Sequence, residues 1–210
     1  MMGMFRQSKR RVSLFRETLL NHPVSIGLVV KHQQQTSNAV AAACEELVQL
    51  IPQQYAICAD ETPTRQQNQN AWIWTVVATT FTVFRIRLTK AAWVIKELLG
   101  DDFKGVATSD RATAATCSEL LNHFDNLWLF VYCKNVEPTN NAAERSLRHA
   151  VIWKHLSFGT QGEHGSRFVE RLLTVIETCR QQKRNAFDFL VDSLTAQNAS
   201  TKPPQLLAGA

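Results

Sequence analysis

Over the first fifty residues, apolar side chains recur at helical spacing. In Arg11–Leu20 they are Val12, Phe15, Leu19 and Leu20. Asn21-His22-Pro23 breaks that helix, because proline disfavours helical backbone in the residue before it. Ser25 is placed to cap a second helix starting at Ile26. An Ala-rich helix is expected from Thr36 to Leu50, with Ala39, Ala43, Leu47 and Leu50 on one face and a stop at Pro52. Two short helices across a tight turn fit a helix-turn-helix and a plain helical hairpin equally well.

The pattern then changes to β-branched and aromatic residues. Tyr55–Ala59 is a short apolar run that ends at Asp60-Glu61. Ala71–Ala78 and Thr82–Leu88 read as strands separated only by Thr79, Thr80 and Phe81, hence an antiparallel hairpin. In the second strand Val83, Arg85 and Arg87 alternate with Phe84, Ile86 and Leu88, which predicts one buried and one wet face. Lys90–Leu99 reads as a helix closed by Gly100, and Gly105–Ser109 as a further strand ending at Asp110. Beyond Asp110 the chain reads as helical, with Val169, Leu172, Leu173, Ile176 and Cys179 forming a core stripe. The expected fold class is α/β, a mixed sheet flanked by helices and preceded by a short helical segment. The expected organisation is a helical segment over 1–52, a catalytic-size domain over 53–197 and a flexible tail over 198–210.

Composition narrows the function classes. A chain of 210 residues, 45% hydrophobic and 20% charged, can bury a real core and is neither fibrous nor disordered. The longest apolar stretch, Ala71–Phe84, carries four Thr and is too short to span a bilayer. The basic start lacks the apolar run of a secretory signal. Five cysteines without a CxxC pair argue against a disulfide framework or zinc knuckle, so a soluble cytoplasmic protein is expected. The net charge of +5 divides into +3 over 1–59, −2 over 60–144 and +4 over 145–210. A carboxylate-rich middle between basic ends suits central cations and a surrounding polyanion, although ordinary solvated faces give the same numbers.

Three carboxylates are placed for joint chemistry. Asp60 and Asp110 each follow a short apolar strand, and if those strands are parallel neighbours both side chains emerge at one sheet edge. Glu144 follows Pro138-Thr139-Asn140-Asn141, a helix start that would aim it from the first turn. Three such groups make a hard-oxygen site suited to Mg²⁺ or Mn²⁺, and a pair of such ions serves phosphodiester chemistry. Each residue also has a plainer explanation. Asp60 could begin a turn, Asp110 could pair with Arg111 or cap a helix, and Glu144 could complete a capping box with Asn141 or pair with Arg148.

The stretch VEPTNNAAERSLRHAVIWKHLSFGTQGEHGSRFVERLLTVIETCRQQKRNAFDFL (136–190) closely resembles the C-terminal part of insertion-sequence-66 family transposases. ADET at 59–62, NAWIW at 70–74, the FRIRLTK strand end and KELLGDDFKGVATSDR at 96–111 agree in order, and RVSLFRETLLNHPVSIG resembles the end of the family's helix-turn-helix region. The resemblance implies a DDE transposase with a ribonuclease H-like catalytic domain, in which Asp60, Asp110 and Glu144 hold two Mg²⁺ or Mn²⁺ ions. It implies hydrolysis at transposon ends followed by strand transfer into target DNA. The expected partners are double-stranded DNA and, as an oligomer, the chain itself or a full-length transposase, in the nucleoid of a prokaryotic cell and with no membrane. Arg145, Arg148, Lys154 and Arg167 are expected on DNA phosphates, with surface ion pairing as the plainer alternative. Trp72, Trp74 and Trp93 are expected in the core rather than as base-stacking platforms.

The chain departs from the family at two places. Only the last helices of the family's N-terminal DNA-binding region are recognisable. Between Asp110 and Glu144 lie just 33 residues, where the family has a strand ending in Trp-Ala-His and a long helical insertion. The expectation is a truncated, internally deleted copy, inactive or crippled, because loss of a strand beside Asp110 exposes a sheet edge. The alternative function is a catalytically dead DNA-binding remnant that competes with or regulates a full-length transposase.

Overall fold

The computed structural model describes residues 7–91, 93–100, 103–109 and 139–207. Helix α1 (Lys9–Leu20) starts where Ser8 Oγ accepts from Arg11 N and ends at Asn21, which is left-handed. Helix α2 (Ile26–Ala39) is capped by Ser25, whose Oγ accepts from Leu28 N at 3.1 Å, as expected. The Thr36–Leu50 stretch is not one helix. The helix is interrupted at Val40, whose φ of −99° and ψ of 2° leave the helical range, and α3 (Ala41–Leu50) follows. The break lets α2 pack on the C-terminal helices while Val40, Ala43, Cys44 and Leu47 enter the core under the sheet.

The sheet has the order β3-β2-β1-β4, built from β1 (Ala56–Gln66), β2 (Gln69–Val77), β3 (Thr82–Arg87) and β4 (Val106–Ser109). The β2–β3 hairpin forms as expected, with Thr75 opposite Phe84. Strand β1 runs past Asp60 to Gln66 rather than stopping at Ala59, because it pairs antiparallel with β2 from Cys58 to Gln66. Gln67 and Asn68 make that turn with φ of 50° and 61°, the two left-handed residues a tight hairpin requires. On its other side β1 pairs parallel with β4, from Ala56↔Val106 to Ala59↔Ser109.

Helices cover both faces. Ile57, Trp74, Val76 and Val83 pack with α3, α4 (Trp93–Leu99) and α7 (Ala186–Asn198). Ala71, Ile73, Phe84 and Ile86 pack with Leu147 and Ala150 of α5 (Asn141–Ser157) and with Phe168, Val169, Leu172 and Leu173 of α6 (Glu163–Gln181). Gly100, at φ 73°, closes α4 through its N–H on Lys96 O. Trp74 is buried, but Trp93 is 54% exposed, so the expectation of a core role fails for that residue. Leu206, in the segment read as a flexible tail, is buried, and its carbonyl accepts from Arg184 at 2.8 Å.

Strand β3 is not half-wet. Thr82 to Ile86 are all buried, since α3 covers the face on which Arg85 lies. Arg85 is tolerated there because Glu45 meets it at 2.7 Å and Glu170 at 3.9 Å. The free edge of β3 is closed by side chains of α6. Thr178 Oγ1 accepts from Thr82 N and donates to Thr82 O, Thr174 Oγ1 accepts from Phe84 N, and Glu170 Oε1 accepts from Ile86 N at 2.6 Å. Four helical residues rise about 6.0 Å and two strand residues about 6.8 Å, so the three turns of α6 stay in step with the edge.

Candidate catalytic edge of the sheet

Asp60 lies mid-strand in β1, one residue past Ala59. Among the described residues the β1–β4 ladder runs to Ala59↔Ser109, and these two residues immediately precede Asp60 and Asp110 in the chain. Asp110 itself lies outside the described residues. Asp60 stands opposite Thr75 on the sheet face that carries α5 and α6, is half-buried, and accepts from Glu61 N at 2.8 Å.

Among the described residues, the N-cap of α5, α5 itself and the loop after it supply the partners along the outer edge of β1 from Ala59 onward. Odd-numbered residues of β1 turn their backbone polar groups away from β2. Ala59 O accepts from Asn140 Nδ2 at 3.2 Å, Pro63 O from Lys154 Nζ at 3.0 Å and Arg65 O from Thr160 N at 2.9 Å. Pro63 thus lacks its N–H only on the side where no strand would use it. Gly159, at φ 99°, passes so close that a Cβ would stand 2.3 Å from Arg65 O. The need for that glycine is therefore an approach to the chain's own backbone.

Asn140 joins this edge to Glu144. It is the N-cap of α5, and its backbone O accepts from Glu144 N at 3.1 Å. Glu144 is therefore one helical turn, about 6 Å of rise, from the residue that touches Ala59. Its side chain is exposed and forms neither a capping box with Asn141 nor an ion pair with Arg148. The Asn140 side chain does not cap its own helix either. It is 4% exposed, spends Nδ2 on Ala59 O, and leaves Oδ1 with no partner. Five buried side-chain nitrogen or oxygen atoms among the described residues lack a partner, and Thr64, Thr75 and Asn140 supply three of them on or against β1.

The four basic candidates divide. Arg145 and Arg148 are exposed on α5, and Arg145 lines a cavity of about 560 Å³ with Cys58, Thr108 and Arg180. Lys154 is held inward by Thr62 Oγ1 at 2.7 Å and Pro63 O, and burial lowers its pKa. Arg167 is engaged by Glu170 at 3.0 Å and Glu163 at 3.5 Å, and Glu170 above all holds its guanidinium more firmly charged. For Arg167 the observed partners are those of the ion-pair alternative.

Sequence reasoning did not find Glu170, Thr174, Thr178 or Asn140. Glu170, Thr174 and Thr178 recur every fourth residue beside the apolar stripe of α6, the spacing of a second buried face rather than a solvated one. For Asn140 the only signal was an N-cap residue type, which pointed to capping.

Comparison with protein families finds a match to the Transposase IS66 family over residues 8–116. The chain belongs to the IS66 transposase family. Comparison with curated proteins and with solved structures finds no match. The IS66 match spans α1 to β4, including Asp60 and Asp110, and ends before α5 and Glu144. Among the described residues no helix is long and apolar enough to cross a membrane, and no three His, Cys, Asp or Glu side chains form a metal-ligand group.

Proposed function

We propose that this chain is a DDE-type transposase whose catalytic edge is the end of the β1–β4 ladder, within a ribonuclease H-like domain. The observation that carries the reading is the register Ala59↔Ser109 between parallel neighbours, directly before Asp60 and Asp110. Asn140 ties the start of α5, and with it Glu144, to the same place. Carboxylate oxygens such as those of Asp60 and Glu144 are the hard donors that suit Mg²⁺ or Mn²⁺.

Asp60, Asp110 and Glu144 would hold the ions. Once bound, a metal pair activates the attacking oxygen and stabilises the leaving one in phosphodiester hydrolysis and strand transfer. Lys154 fixes Thr62 and Pro63, so the stretch of β1 after Asp60 cannot drift from α5. Arg148 and Arg145, exposed beside Glu144, would bind backbone phosphates and set the register of the duplex.

The test is calorimetric titration with Mg²⁺ and Mn²⁺, with Asp60→Ala as control, followed by a nicking assay on duplex DNA. Micromolar-to-millimolar binding that Asp60→Ala abolishes supports the reading. Absence of binding, or binding indifferent to Asp60, overturns it. Salt-dependent duplex binding without metal binding would mark the chain as a DNA-binding remnant that competes with a full-length transposase.

A further inference from the structure

We propose that the cavity between the β1–β2 hairpin and the C-terminal end of α5 seats an unpaired nucleotide of a DNA strand, with the Phe158 ring as its stacking platform. The inference rests on the reading above for DNA as the ligand, and adds a subsite away from the carboxylates.

Phe158 stands where folding alone would not put it. It ends α5 with its N–H on Lys154 O at 2.9 Å, in left-handed backbone at φ 57°. That position favours glycine or asparagine, and a bulky residue there is strained. Its side chain is 87% exposed, the most of any large apolar residue among those described, so burial does not offset the strain. The backbone beside it is anchored. Thr160 N donates to Arg65 O at 2.9 Å, Gln67 N to Thr160 O at 3.0 Å and Ser166 Oγ to Gln66 Oε1 at 2.6 Å. Strain held in place by its surroundings, and repaid by no packing, points to a ligand.

The walls of the cavity say which ligand. Its volume is about 490 Å³, within the range of small-ligand sites. Arg65, Lys154 and His155 line it with Phe158, and no Asp or Glu among the described residues does. Lys154 is committed to Thr62 and Pro63, whereas Arg65 and His155 are exposed and placed for a phosphate. Asn68 and Asn70 add amide donors and acceptors for a base edge. An aromatic face beside cations is the chemistry that holds single-stranded nucleic acid, and a base must leave its stack to use that face. Thr64, on the cavity wall, lies four residues beyond Asp60 on the same face of β1. That is about 13 Å, close to the rise of about four base pairs, so a strand engaged at Asp60 reaches the cavity. The competing explanation is that Phe158 is a contact for another protein chain.

The test is fluorescence anisotropy with the full chain in EDTA, comparing a dye-labelled duplex that carries a short 3′ overhang with its blunt counterpart. The wild type should prefer the overhang. Phe158→Gly should weaken overhang binding by roughly 5- to 150-fold, the worth of one stacked base, and leave blunt-duplex binding unchanged. Phe158→Trp should keep the preference, and Phe158→Leu, apolar without a π face, should lose it. A 5-iodouracil in the overhang should crosslink to Phe158 under near-ultraviolet light. The urea midpoint of Phe158→Gly should not fall, because glycine suits the left-handed position. A lower midpoint would show that the ring serves the fold, and the proposal falls. It also falls if the wild type does not distinguish the two duplexes, if Phe158→Gly keeps the preference, or if Phe158→Trp loses it. Should Phe158→Gly keep the preference and change the oligomeric state in sedimentation, the ring is a protein contact. Because the assay excludes metal, metal binding indifferent to Asp60 overturns the catalytic reading and leaves this subsite standing. Asp60-dependent metal binding without an overhang preference overturns the subsite alone.

Discussion

Replacing Thr174 by Val tests whether side chains of α6 act as the missing strand beside β3. Valine keeps the shape of threonine and removes only the hydroxyl that accepts from Phe84 N at 3.0 Å. Phe84 is fully buried and Thr174 is 1% exposed, so no solvent replaces the lost acceptor. A buried N–H left unpaired costs about 1–3 kcal/mol. The new methyl returns about 0.8 kcal/mol of apolar burial. The expected net loss is on the order of 1 kcal/mol, within a range of about 0.2–2.2 kcal/mol. Thr178→Val should cost more, on the order of 2–4 kcal/mol, because Thr178 Oγ1 serves both Thr82 N and Thr82 O. The control is Thr195→Val, at an exposed site on α7, where a change within about 0.5 kcal/mol is expected.

Urea denaturation gives the three differences, and amide exchange supplies an independent readout. In the wild type the Phe84 N–H should exchange slowly although β3 is an edge strand. In Thr174→Val that amide should exchange faster, while the amides of β1 paired to β2 should lose no more than the global stability change. A Thr174→Val protein as stable as the Thr195→Val control, with Phe84 still protected, would show that the hydroxyl ladder does not hold the edge.

Other consequences can be checked more briefly. Arg148→Ala should lower the salt dependence of duplex binding by about one unit of log–log slope, the share of one phosphate contact. Arg167→Ala should leave that slope unchanged and reduce stability, because it strips a partner from buried Glu170. Burial raises the Cys44 thiol to about 12 from 9.0. Folding therefore withholds ionisation from it: stability is intact below pH 9, falls as pH rises from 9 towards 12, and falls less in Cys44→Ala. Mass spectrometry after alkylation at pH 8 should find Cys44 unmodified in the native protein and modified in urea. For Lys154 the sign is opposite, since its folded pKa lies below 10.5. The wild type should gain stability relative to Lys154→Met as pH rises towards 10.5, the folded state being the first to release the proton.

What the sequence disclosed, and what it hid, follows from where each interaction is encoded. The β2–β3 hairpin, the Ser25 cap and the Gly100 stop are local, written in a few adjacent residues, and all three were legible. The adjacency of β1 and β4 was legible only as a condition, because pairing between strands fifty residues apart leaves no local mark. The second half of β1 was hidden. Thr62-Pro63-Thr64-Arg65-Gln66 is polar and carries a proline, so by composition it reads as loop. It is a strand because β2 supplies one ladder and because Lys154 and Thr160, from distant parts of the chain, occupy the other side.

The same reasoning explains why polar residues were misjudged on both edges. A polar residue beside an apolar stripe is assigned to water by any periodicity argument, yet Glu170, Thr174 and Thr178 are buried because an edge strand needs partners as much as a core needs apolar surface. At the β3 edge every one of these partners is satisfied. Along β1 the backbone acceptors Ala59 O, Pro63 O and Arg65 O are satisfied in the same way, by Asn140, Lys154 and Thr160, so both strands borrow their outer partners from helices and the loops beside them rather than from another strand.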